Sequence, residues 1–231
     1  MTLDEILAEM RGLGSARNRE GMARFGINPA RALGVSVNDL RRIGRKVRGK
    51  DHALAGQLWD TEIHEARILA SIVDDPRAVT EEQMERWVAE FDSWDLCDQC
   101  CGNLFDKTAY AWGKAVEWSG REREFEKRAG FALMAYLGWH SKDAPDERFL
   151  TFLPVIKREA VDNRNYVKKA VNWALREIGK RNPALNAAAI DTAREILAGA
   201  EAQGKRGASR WVASDALREL TSEKVQARLQ K

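Results

Sequence analysis

The stretch from Ser93 to Gly102, SWDLCDQCCG, holds the side chains best suited to chemistry. Read as a helix, it puts Leu96, Cys97, Cys100, Cys101 and Leu104 on one apolar face. Trp94 and Asp98, four residues apart, fall together on roughly the opposite face, with Asp95 and Gly102 alongside. The glycine leaves room for close approach. A carboxylate thus stands one turn from an indole, and any chemistry this chain performs is expected to use that pair. The same spacing also suits a bland reading, with Asp95 favoured by the helix dipole and Asp98 as an ion-pair partner.

A second locus lies in NYVKKAVNWALREIGKR, residues 165–181. Tyr166, Val167, Ala170, Val171, Ala174, Leu175 and Ile178 form one apolar stripe at steps of three and four. Trp173 projects roughly 120° from the centre of that stripe, and Lys169, Arg176 and Lys180 project with it. This is either a surface that meets phosphates and offers an aromatic face between them, or a second core layer with cations snorkelling around it. Arg128, in EFEKRAGFALMAYL, sits at the edge of its own helix stripe. An arginine so placed holds a carboxylate or reaches a phosphate.

Other chemistries find no support. CDQCC has no second pair of cysteines, and His52, His64 and His140 sit at no ligand spacing, so no metal site is expected. The cysteines point to the presumed core, which argues against a thiolate nucleophile. There is no P-loop, dinucleotide fingerprint, G-x-S-x-G or H-E-x-x-H, and no cofactor is expected. No apolar run approaches the roughly 18 residues of a membrane span. The N-terminus does not read as a signal peptide, and three cysteines cannot make a disulfide framework, so a reducing cytoplasm is expected. The net charge of +3 is segregated: residues 15–50 carry +8, residues 51–154 carry −10 and residues 155–231 carry +7. Basic ends around an acidic middle suggest phosphate contacts from both ends.

The elements that must position these residues are helices. Residues 2–13 and, more weakly, 15–25 open the chain, before a turn with Gly26, Pro29 and Gly34. Ser36 is an N-cap for a cationic helix carrying Arg41, Arg42, Arg45, Lys46 and Arg48. Asp51 starts a helix to Trp59, and Asp60 or Thr61 caps the next. Thr80 and Gln83 form a capping-box pattern. Ser93 opens the helix of the first locus, and Asp106 or Thr108 the one after. A long helix runs from Arg121 to about His140, and Pro145-Asp146 starts one through residue 161. The helix of Trp173 stops at Asn182-Pro183, an Ala-rich helix runs to about residue 200, and a KRGASR loop precedes two short helices. About a dozen helices in pairs every 35–40 residues suggest an all-α curved solenoid of about six HEAT-like pairs, as one domain over residues 1–231. A compact orthogonal bundle is the alternative.

At this point the chain resembles the DNA alkylation repair family of HEAT-like-repeat alkylpurine DNA glycosylases. The resemblance rests on LWD at Leu58–Asp60, SWDLCD at 93–98, EKRAGF at 126–131 and KKAVNWALREIGKRNP at 168–183. It implies a curved stack of helix pairs around duplex DNA and excision of N3- and N7-alkylated purines. By position, Asp98 corresponds to the family's catalytic carboxylate and Trp94 and Trp173 to the two tryptophans that flank the lesion's sugar and backbone. Arg128 corresponds to an arginine that supports the site. Phe25 stands where the family can have a tyrosine near DNA, and Ser93 where it can have a second tryptophan.

The chemistry implied suits these residues. Alkylation makes the purine cationic, so it leaves as a neutral base without a general acid, and positive charge gathers on the sugar as in glycoside hydrolysis. The resemblance implies no pocket that grips the base, unlike enzymes that extrude it. The expected protein is a monomeric, metal-free, monofunctional glycosylase acting on alkylated double-stranded DNA, with no membrane or small-molecule partner. Expected DNA contacts are Phe25, Ser36, Arg41, Arg45, Lys168, Lys169, Arg176, Lys180, Lys205, Arg206 and Arg210. A DNA-structure-binding protein without chemistry and a protein-interaction scaffold are the alternatives.

Overall fold

A computed structural model describes residues 1–47, 51–202 and 207–230, and among these every regular element is helical. Arg48, Lys205 and Arg206 therefore lie outside the described residues. The chain divides into two compact units, Met1–Tyr110 and Ala111–Lys231.

Unit 1 contains α1 (Leu3–Leu13), α2 (Ala16–Met22), α3 (Val37–Lys46), α4 (His52–Asp60), α5 (His64–Val73), α6 (Glu81–Ala89) and α7 (Trp94–Asn103). A short 3-10 turn, Ala23–Phe25, extends α2 and ends at Gly26, whose φ of 71° is left-handed. The core is aromatic: Trp59 and Trp87 stack with ring centroids 3.9 Å apart, with Phe91 and Phe105 against them. Trp59 of the LWD sequence is thus a core residue. The cap expected at Ser36 is present, since its hydroxyl accepts from the Asp39 amide at 3.2 Å. That at Thr80 is half of a capping box. Thr80 accepts from the Gln83 amide, but the Gln83 side chain donates to Asp74 at 2.7 Å instead of reaching back. Neither Asp60 nor Thr61 caps α5. The Thr61 hydroxyl donates back to the Leu58 carbonyl at 2.7 Å, closing α4, and Glu62 at φ 57° turns the chain before α5 begins.

Unit 2 contains α8 (Ala111–Ser119), α9 (Glu124–His140), α10 (Asp146–Leu150), α11 (Phe152–Glu159), α12 (Asn165–Gly179), α13 (Pro183–Ala202), α14 (Ala208–Leu220) and α15 (Glu223–Leu229). α9 packs along α8 on one side and α12 on the other, and α13 lies against α12 and α14. The helix expected from Pro145 is two, broken at Thr151. Pro154 explains the break: its ring cannot lie over the Leu150 carbonyl, and it has no amide to donate to it. The Asn-Pro at the end of α12 starts α13. Asn182 Oδ1 accepts from the Leu185 amide at 2.8 Å, and Pro183 takes the first helical position.

The pairs pack close enough to require glycine. A Cβ at Gly130 of α9 would stand 2.4 Å from the Ser119 amide nitrogen and 2.9 Å from the Ala115 carbonyl, both backbone atoms of α8 or its last residue. Gly113 of α8 faces open space. Gly130→Ala should cost about 3 kcal/mol by overpacking, whereas Gly113→Ala should be neutral or add up to about 1 kcal/mol. Denaturant titration of the two variants checks this, and equal midpoints would contradict the packing.

Candidate functional site

α7 is set by what lies on its two faces. Leu96, Cys97, Cys100 and Cys101 are buried, as their spacing predicts. Burial pushes the Cys100 and Cys101 thiols well up, so neither is a thiolate at neutral pH. Among the described residues no cluster of metal-ligating side chains occurs. Trp94 and Asp98, one turn apart on the other flank, are both half-buried.

Several polar contacts hold this orientation. The Trp94 indole N–H donates to the Phe25 carbonyl at 2.8 Å, and the Phe25 ring is 69% exposed. Phe25 and Trp94, far apart in the chain, thus meet in unit 1. The turn after Phe25 is anchored by Glu65 of α5. This buried carboxylate accepts from the amides of Leu33, Gly34 and Val35 at 2.8, 2.6 and 3.3 Å. At the far end of α7, Lys107 donates to the Gly102 and Asn103 carbonyls at 2.6 and 2.9 Å, a cation on the negative end of the helix.

Asp95 departs from its expected place beside Trp94 and Asp98. It turns inward and pairs with the buried His64 Nε2 at 2.8 Å. Burial draws the His64 pKa down, but the hydrogen bond to Asp95 and its charge outweigh that, leaving it above its ordinary value. Burial likewise raises Asp95, and His64 more than reverses this, leaving it below the usual carboxylate range. His64 carried no sequence signal, because its partner is 31 residues away.

In unit 2, Trp173 is neither sunk in the core nor free in water. It is half-buried and meets Tyr136 of α9 edge-on, with centroids 5.0 Å apart. Tyr136 was hidden in an apolar run, with nothing to distinguish it. Trp139 beside it is 56% exposed. Arg128, expected at the edge of a stripe, is only 6% exposed, and its guanidinium donates to the Tyr166 carbonyl at 2.7 Å. It therefore positions the first turn of α12. Arg181 does the same at the other end through the Gly138 carbonyl at 2.8 Å, and buried Asn172 donates to the Val212 carbonyl at 3.0 Å.

The expected cations separate into two groups. Arg176 is paired with Glu219, and Lys180 with Glu177 at 2.7 Å and Glu219 at 3.0 Å, so these two are neutralised within the unit. The Ser36 hydroxyl is engaged with Asp39, donating to its carboxylate at 2.7 Å. Arg41, Arg45, Lys169 and Arg210 are exposed, and Lys168 is half-buried. Among the described residues none of these five forms an ion pair. Arg42 and Lys46, their neighbours on α3, are paired with Asp39 and Glu9.

Comparison with known proteins places these observations. A family described as "DNA alkylation repair enzyme" matches residues 6–220. An uncharacterized protein of Listeria innocua is 23% identical over 199 residues, covering 85% of this chain and 87% of that one. A solved structure is similar with a TM-score of 0.75 at 23% identity, over 84% of this chain and 83% of that one. It is described as "a new family of proteins related to the HEAT-like repeat DNA glycosylases with affinity for branched DNA structures". The fold is that of the HEAT-like repeats.

The His64–Asp95 pair makes stability depend on pH in a set direction. A raised histidine pKa contributes fully below about pH 6.5 and is lost as pH rises through the folded value. A lowered aspartate pKa contributes above about pH 3.9 and is lost as pH falls through it. His64→Gln should therefore cost about 3 kcal/mol at pH 5.5, by leaving a buried carboxylate without its cation, and clearly less at pH 8.5. Unfolding curves at the two pH values test this, and an equal loss at both would contradict it.

Proposed function

Because the chain belongs to the DNA alkylation repair enzyme family, we propose that it is a DNA glycosylase that excises cationic N3- and N7-alkylated purines from duplex DNA. The observation that carries the reading is the flank of α7, where Asp98 stands one turn from an indole fixed by the Phe25 carbonyl.

The proposed reaction breaks the glycosidic bond between C1′ and N9 of the alkylated purine. The electron pair leaves with the base and cancels its positive charge. The sugar is left as an oxocarbenium ion, water adds at C1′, and a proton is released. The Asp98 carboxylate stabilises the cationic sugar and accepts the proton of the entering water. Trp94 lies against the sugar, adding cation–π attraction and excluding solvent. Trp173 is proposed, from the resemblance, to contact the lesion's backbone, with Arg128 holding the helix that carries it. Arg41, Arg45, Lys168, Lys169 and Arg210 are the proposed phosphate contacts, and Arg176 and Lys180 are left out because carboxylates already hold them.

The solved relative's affinity for branched DNA favours a second reading, binding of DNA structure without chemistry. The two are separated by Asp98→Asn. Under the first, release of 7-methylguanine from methylated duplex falls roughly 10²-fold or more, while salt-dependent binding is retained. Wild-type protein that binds duplex but releases no base would support the second reading, and release unaffected by Asp98→Asn would remove Asp98 from the mechanism.

A further inference from the structure

Trp211 belongs to none of the arrangements above. It lies in the first turn of α14, whose Val212, Ala213, Ala216 and Leu220 are buried. Its indole points off that face and is 40% exposed. The Lys168 ammonium of α12 stands 5.7 Å from the ring centroid. Around the indole is an open concavity of about 800 Å³, lined by Lys168, Arg210, Arg218, Ser214 and Asp215 as well as Trp211. Arg218 is matched to Asp215 at 2.5 Å. Lys168 and Arg210 are in no ion pair among the described residues, so the hollow has an excess of positive charge beside a partly exposed aromatic ring.

We propose that this concavity is a site for an unpaired nucleotide of a DNA strand. Its base would stack on Trp211, and its phosphates would meet Lys168 and Arg210. The chemistry of the lining decides among ligands. Cations alone suit a duplex backbone, but the interior of a duplex keeps its base faces stacked and offers none to an indole. An unpaired base has a free face, and stacking on an aromatic ring suits any base. The flanking phosphates then fall to the cations, of which Lys168 already sits over the ring. The site lies within unit 2 and uses none of the residues assigned to excision except the phosphate contacts Lys168 and Arg210. It rests on the reading that DNA is the ligand, and not on base removal.

The test uses the full chain and two labelled probes, a blunt duplex and the same duplex with a four-nucleotide thymidine overhang. Fluorescence anisotropy should show the overhang bound about tenfold more tightly than the blunt end. Trp211→Ala should abolish that difference while leaving blunt-duplex affinity and release of 7-methylguanine unchanged. Trp211→Phe, which keeps a ring, should preserve most of it. Arg210→Glu should weaken the overhang complex even if Trp211→Ala fails to fold. Equal affinity of wild type for the two probes, or an overhang preference that survives both Trp211→Ala and Arg210→Glu, would overturn the proposal. Overhang preference without base release would instead defeat the excision reading and leave this site standing.

Discussion

The rotational setting of α7 is the constraint on which the account depends. A helix with three cysteines and a leucine on one side and a tryptophan and an aspartate on the other can serve chemistry only if it cannot roll. Apolar burial fixes the first side, since a fully buried face has nowhere else to go. Directional bonds fix the rest: His64 takes Asp95, the Phe25 carbonyl takes the Trp94 N–H, and Lys107 holds the last carbonyls. Of the two carboxylates of α7, Asp95 turns inward to a histidine and Asp98 lies half-buried on the flank that carries the Trp94 indole. Its place one turn from that indole is what makes Asp98 the candidate for chemistry.

In unit 2 the same economy applies to cations. The basic side chains of unit 2 are not equivalent as phosphate contacts. Arg128 and Arg181 join helix to helix through backbone carbonyls. Arg176 and Lys180 share Glu219. Lys168, Lys169 and Arg210, on α12 and α14, form no ion pair among the described residues. A positive charge matters to a polyanion only when no nearer anion holds it, so the count of basic residues overstates the charge available for DNA.

How much was legible in the sequence follows from the range of each interaction. Helical period placed the buried cysteines of α7 and the stripe of α12, because both depend on neighbours three and four residues away. Ser36, Asp51 and Thr80 were legible as caps for the same reason. The pairing of His64 with Asp95, the triple acceptance by Glu65 and the edge-on contact of Tyr136 with Trp173 span about 30 residues or more, and no local pattern marks them. The break between α10 and α11 could have been read from Pro154, whose effect reaches four residues back. Trp211 carries no local signal, because one aromatic residue at a helix start has no period. Only its exposure and the nearby Lys168 give it meaning.

The proposed catalysis is electrostatic, with the Asp98 carboxylate facing the sugar as positive charge gathers on it. An abasic duplex carrying a cationic nitrogen in place of the sugar's anomeric centre mimics that charge, and a neutral tetrahydrofuran abasic duplex is its control. Wild-type protein should bind the cationic duplex about tenfold or more tightly than the neutral one, as transition-state mimics do, and Asp98→Asn should bind the two alike. Equal affinity of the wild-type protein for both duplexes would contradict the account.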